Sequence, residues 1–165
     1  MIDTRHSRRL FCLGSLAVLC ACGFTPVYGP GGGGAALQDA VLTDAPKTRD
    51  AFLLVREIEE RLGRGSPATY GLSYAIKVDE EAIAIDQNDV TQRYNLLGEV
   101  TYALRHLQTG AVVTSGKVNN FTGYSASGST VATQAAERDA RERLMSILAD
   151  MMITRLVVAA PTSAT

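Results

Sequence analysis

The chain has no tryptophan, and no cysteine after residue 22. The first absence leaves six tyrosines and four phenylalanines to supply the aromatic part of any core. The second is more restrictive. Cys12, Cys20 and Cys22 all fall near the N-terminus, so the 143 residues that follow can hold neither a disulfide framework nor a thiolate metal cluster. Histidine is equally scarce, at two residues, His6 and His106. Beyond the first segment a metal site would have one imidazole and would need carboxylates from scattered elements; no metal and no dissociable cofactor is expected. A net charge of −1 gives no general basic field, so nucleic acid is not an expected partner. There is no G-x-S-x-G elbow, and nothing around His106 marks a serine triad.

The N-terminus, by contrast, is organised. Arg5, Arg8 and Arg9 precede an apolar run of ten residues, Leu10 to Leu19. That is the length of a signal-peptide core and too short to span a bilayer as a helix. The run closes in Leu19-Cys20-Ala21-Cys22. A bacterial lipoprotein signal takes an aliphatic residue at −3, small residues at −2 and −1, and Cys at +1. Cys22 meets this with Leu19 and Ala21, whereas Cys20 would put Leu19 at −1 and Cys12 would put Phe11 there. Residues 1–21 are therefore read as a lipoprotein signal peptide, and Cys22 as the new N-terminus carrying a covalent N-acyl diacylglycerol. The alternatives are an ordinary secretory signal with incidental cysteines and a transmembrane anchor. Three acyl chains exceed the reversible binding given by one chain, so the membrane attachment would be stable. In bacterial lipoproteins an Asp after the acylated Cys often signals inner-membrane retention; Gly23 there favours the outer membrane. Without residues 1–21 the chain carries 13 basic and 16 acidic side chains.

Residues 22–37 contain "GPGGGG" and are expected to form a flexible tether, with a reach of about 20–25 Å for the linker. The stretch lacks the strand-then-helix setting of a phosphate loop. Residues 38–160 form the expected domain, and 161–165 a loose tail. "LQDAVLT" is a weak strand ending before Pro46. In "TRDAFLLVREIEERLG", Ala51, Leu54, Val55, Ile58 and Leu62 make one helical stripe, with Thr48 as cap and Gly63 or Gly65 as stop. Three strands follow, alternating with Tyr70, Leu72, Tyr74, Ile76 and Val78, then Tyr94, Leu96, Val100, Tyr102 and Leu104, then Gly116 and Val118. "QND" and "QTG" are read as three-residue turns. Those turns pair Asp86 with Val90 and Leu107 with Ala111. They also align Ile76, Val100 and Val118 in one row, and Tyr74, Tyr102 and Gly116 in the next. Even-numbered positions then share one face throughout, with a bulge where Ile83 and Ile85 break phase.

A final helix is predicted from near Ser129 to about Val158, striped by Ala140, Leu144, Ile147, Leu148, Met151 and Met152. It is longer than a small sheet can cover, so part of it is expected to project or to meet a partner. The order β-α-β-β-β-α implies an α+β two-layer sandwich, a four-stranded mixed sheet with two helices on one face. The first strand can pair parallel to the second through the intervening helix. His106 reads as a structural or edge residue, and the carboxylate pairs read as solvated. Lys77, Arg93, Arg105 and Lys117 lie on the polar odd-numbered face and are the candidate contacts for an anionic lipid or a partner; the register sets Lys77 opposite Glu99. The alternative for these four is a solvated face with ion pairs.

Three stretches carry a family resemblance. Cys22-Gly23-Phe24-Thr25-Pro26-Val27-Tyr28-Gly29 resembles the "CGFxPxYG" start of the alphaproteobacterial LPS-assembly lipoproteins, the LptE family. "YALRHLQTGAVVTSGKV" resembles its strand, turn, strand unit, and "FTGYSASGSTVATQAAERDARERLMSILADMMITRL" its loop leading into an "AERDA" helix. The chain has Thr130 and Val131 where the family usually carries a tyrosine. The resemblance implies a non-enzymatic outer-membrane lipoprotein on the periplasmic side. Its implied partner is the LptD β-barrel, which it would plug during lipopolysaccharide transport and assembly, with lipopolysaccharide itself as a second expected ligand. The other reading is an auxiliary lipoprotein of an ABC-type or lipid-trafficking transporter; a lipoprotein hydrolase would need a nucleophile that the sequence does not offer.

Overall fold

The computed structural model describes residues 32–85 and 91–160. The elements in chain order are α1 (Gly33–Leu37), β1 (Val41–Thr43), α2 (Arg49–Leu62), β2 (Tyr70–Ile85), β3 (Thr91–His106), β4 (Val112–Ser125) and α3 (Thr130–Ala159). The four strands form one mixed sheet in the order β1-β2-β3-β4. β1 is parallel to β2, reached through α2 as a parallel crossover requires, and β2, β3 and β4 form an antiparallel meander. The expected α+β sandwich is therefore the observed one, with α1 added.

The phase of the strands decides which face is covered. Ile76 pairs with Val100 and Val100 with Val118; Tyr74 pairs with Tyr102 and Tyr102 with Gly116. Leu72, Leu96, Val100, Tyr102, Leu104, Val118 and Tyr124 are buried on the even face. They pack with Leu54, Ile58 and Leu62 of α2 and with Ala140, Leu144, Leu148, Met152 and Leu156 of α3. The irregularity expected near Ile83 lies between Ala82 and Ala84. The Asp86–Val90 pairing falls outside the described residues. The Leu107–Ala111 pairing does not form. A register shift after Leu104 pairs Arg105 with Val112, and the turn closes through Gly110, at φ 70°, whose N–H donates to the His106 carbonyl at 2.8 Å. The left-handed backbone that glycine permits tightens the turn by one residue.

The helix ends follow their caps. Thr48 Oγ1 accepts from the Ala51 N–H at 3.2 Å, and Gly63, at φ 74°, ends α2. Ser129 accepts from Ala132 N at 3.3 Å and opens α3. An ionic seam joins the two helices: Arg56 to Glu142 at 2.7 Å, Arg141 to Asp50 at 3.3 Å, and Arg61 to Asp150. Exposed pairs of this kind contribute little stability each, but their spacing fixes how the helices slide against one another.

Three further expectations change. β1 has three residues, because Leu37 is taken by α1 and only Val41–Thr43 reach the β2 edge. The glycines read as spacer are in part packed: Gly33 and Gly34 are buried, and Gly33 lies against the Val157 carbonyl and Ala160 at the end of α3, where a side chain has no room. The backbone approaches this closely because nothing projects from it. The long helix is also better matched than expected. Its 30 residues span about 45 Å, and the 16-residue strands span roughly 50 Å. Its fully buried stripe runs from Ala140 to Val157, and Ala136 packs partly buried against the core one turn earlier, so only the start of the helix stands clear.

Gly98 faces the Leu144 and Leu148 side chains so closely that an added Cβ would lie 2.8 Å from one Leu148 methyl. Gly98→Val is expected to lower stability by about 1–3 kcal/mol through overpacking, read as a fall in urea midpoint at unchanged slope.

Candidate functional site

No helix among the described residues lies over the odd face of the sheet, which holds the cations singled out in the sequence. Along β2–β3–β4 its rows read Asp79–Leu97–Phe121, Lys77–Glu99–Asn119, Ala75–Thr101–Lys117 and Ser73–Ala103–Ser115. Arg105 lies two residues beyond the last row along β3, opposite Gly71 of β2, and Arg93 pairs with Ser125 near the other end.

The four candidate cations are spread along this face. Arg93 and Arg105 are twelve residues apart on one strand, roughly 40 Å. Lys77 stands opposite Glu99 in the ladder, yet its ammonium goes to Asp79 on its own strand at 2.6 Å, which raises its pKa through the hydrogen bond and the charge. Glu99 is taken instead by Lys117, at 2.9 Å on the diagonal. Arg93 and Arg105 are exposed and have no ion pair among the described residues. The structure thus brings Lys77 and Lys117 together with Asp79 and Glu99 as a mixed-charge cluster, and sets the two arginines apart at opposite ends. Cys22 lies outside the described residues.

Sequence reasoning missed an apolar step on this polar face. Leu97 and Phe121 are directly opposite one another and are 36% and 61% exposed. Lys77, Asp79, Glu99 and Asn119 surround them in a shallow depression of about 490 Å³. The signal was present: Leu97 follows Leu96 and Phe121 follows Asn120, so both interrupt the alternation in odd phase. A cross-strand aromatic–aliphatic pair contributes little when one side is open to water, so the pair is better placed for contact than for stability.

At the far end of the sheet the even face closes on a phenol. Tyr124 stacks on Tyr94 with ring centroids 5.3 Å apart, and its hydroxyl donates to Glu80 at 3.1 Å. Burial, then the hydrogen bond to Glu80, push the phenol up to about 12. His106, at the other end, packs edge-on to Tyr70 at 5.6 Å, a structural position as expected. Among the described residues no group of three or more His, Cys, Asp or Glu could hold a metal, and no helix is long and apolar enough to cross a membrane.

With that geometry established, the comparisons become informative. The LptE family, described as lipopolysaccharide-assembly, matches residues 37–156, from the last residue of α1 almost to the end of α3. The chain belongs to the LptE family. A Caulobacter crescentus protein described as a lipoprotein shares 26% identity at a TM-score of 0.64, over 76% of this chain and 93% of its own. Rare lipoprotein B from Shewanella oneidensis shares the fold at 10% identity and a TM-score of 0.54, over 72% of this chain and 92% of its own. A minor lipoprotein from Acinetobacter baumannii does so at 16% identity and 0.53, over 76% and 95%. No curated protein matches the sequence. The matched region of this LptE chain takes in the whole sheet, α2 and nearly all of α3, and the mixed-charge face lies entirely within it.

A phenol held above its ordinary pKa favours its protonated state in the folded protein. That contribution is complete below the unfolded value near 10 and is lost as pH rises through about 12. Tyr124→Phe is therefore expected to flatten the fall in melting temperature between pH 10 and 12, measured by thermal scans against wild type.

Proposed function

We propose that this LptE-family chain is a non-catalytic outer-membrane lipoprotein that partners and plugs an LptD-type β-barrel during lipopolysaccharide delivery. The reading rests on one observation: the family of lipopolysaccharide-assembly proteins matches essentially all of the folded domain. In this reading residues 1–21 are removed, Cys22 carries the acyl chains, and residues 23–31 connect them to α1. The domain then sits at the periplasmic leaflet while its open sheet face meets the lumen of the barrel. Lumen walls of such barrels are polar, which suits a face carrying Lys77, Asp79, Glu99 and Lys117. Leu97 and Phe121 supply the apolar contact within it, and Arg93 and Arg105 the unpaired charge for a barrel carboxylate or a lipopolysaccharide phosphate.

A mild-detergent pull-down of the tagged chain from envelopes is expected to recover a large outer-membrane barrel in stoichiometric amount. Recovery of an ATPase or permease would move the protein to the transporter-auxiliary class. Arg105→Glu combined with Lys117→Glu is expected to weaken that association while leaving the circular dichroism spectrum unchanged; unaltered recovery would remove both residues from the contact surface. Cys22→Ala is expected to leave the outer-membrane fraction, and its retention there would overturn the lipid-anchor assignment.

A further inference from the structure

Near one end of the sheet the open face turns apolar across its full width. There β1 to β4 place Leu42, Gly71, Arg105 and Val112 in one row. Gly71 has no side chain, and Leu107, just past the end of β3, fills its place: a Cβ on Gly71 would lie 2.9 Å from a Leu107 methyl. Val112 turns to the open face because its neighbour Val113 packs against the core. Leu42, Leu107 and Val112 are each about half exposed. The row crosses three strand spacings, roughly 15 Å.

The charge in this region has one sign. Arg105 stands within the row, exposed and with no ion pair among the described residues. The next row, Ser73–Ala103–Ser115, is small and uncharged. The nearest carboxylate of β2, β3 or β4 on this face is Glu99, six residues from Arg105 along β3 or about 20 Å. Apolar side chains around one unmatched guanidinium suit the headgroup layer of a bilayer. The methyl groups reach the upper acyl chains, and the guanidinium donates to phosphate oxygens. The depression in the middle of the sheet differs, because Asp79 and Glu99 already match its two lysines.

The position of the row selects its occupant. Gly33 seats against Val157 and Ala160 at the end of α3, and Arg155 of α3 meets the Lys117 carbonyl of β4, so the row lies at the pole where the chain enters the domain. Gly32 is ten residues from Cys22, a root-mean-square reach of about 15–20 Å for a flexible segment. Acyl chains on Cys22 would hold the row that close to one leaflet, and a contact too weak for a free domain becomes intramolecular.

We propose that Leu42, Arg105, Leu107 and Val112 form a membrane-contact surface that lies against the phospholipid headgroups of the leaflet holding the anchor. The proposal rests on the lipid anchor at Cys22 and is independent of the barrel, which is left the middle of the open face. A tether alone lets the domain turn freely about its attachment; a second contact at the row fixes the tilt of the sheet against the bilayer.

The test exploits the lack of cysteine after residue 22. In the processed, acylated chain the Cys22 sulfur is a thioether, so an introduced cysteine is the one thiol open to a fluorescent label. Leu107→Cys and Val112→Cys are labelled, with Phe121→Cys in the middle of the face and Val131→Cys at the start of α3 as comparators. Each chain is reconstituted on vesicles of phosphatidylethanolamine and phosphatidylglycerol, with and without a headgroup nitroxide quencher. Quenching at positions 107 and 112 is expected to exceed that at 121 and 131 by about threefold. Leu42→Asp should abolish the excess at position 112, which also covers the case that Leu107→Cys disturbs its turn. Equal quenching at all four positions of an anchored chain overturns the contact alone. An excess that appears only when lipopolysaccharide is added assigns the row to that ligand and equally overturns it. Label taken up by the unsubstituted chain reveals a free Cys22 thiol, and removes the anchor reading and this one together.

Discussion

Everything in this structure depends on the even-numbered residues of three consecutive strands staying in one phase. A strand alternates faces with a period of two, so a slip of one residue would turn Leu72, Val100, Leu104 and Val118 to water and bring Lys77, Glu99 and Lys117 under the helices. The desolvation of those charges makes the alternative register far costlier than any gain from its hydrogen bonds. The bulge near Ile83 and the register shift after Leu104 therefore fall toward the ends of the ladder, where few buried residues feel them. Once the phase is held, the helices have one face to cover, and Gly98 lets α3 lie close to it.

The sandwich was legible because its signals are local and agree. The row of Ile76, Val100 and Val118 follows from turn lengths and alternation alone, the cap at Thr48 follows from side-chain chemistry next to a periodic stripe, and the start of the last helix near Ser129 follows from the stripe itself. What was not legible depends on contacts distant in sequence. The glycines before Leu37 look like spacer because no side chain announces packing; their burial is decided by Val157 and Ala160, more than a hundred residues away.

The candidate site divides in the same way. The cations were found by their phase, but their partners were not: Lys77 turns to Asp79, two residues away on the same face, and Glu99 is left to Lys117 on the neighbouring strand. Short same-face distances within a strand compete directly with the cross-strand pairing that register predicts. Leu97 and Phe121 were passed over because each sits beside a residue that explains itself, one buried and one polar.

The seating of Gly33 on the end of α3 has a directional consequence. The chain enters the domain beside Val157 and Ala160, and it leaves the domain at the same place, since α3 ends there. Both covalent connections are gathered at one pole of a body about 45 Å long. The other pole, where β2 turns toward β3 and the first turns of α3 stand free, carries no connection at all. A molecule held through its N-terminus is therefore gripped at one end of its long axis, and its unattached pole is the part with the widest reach.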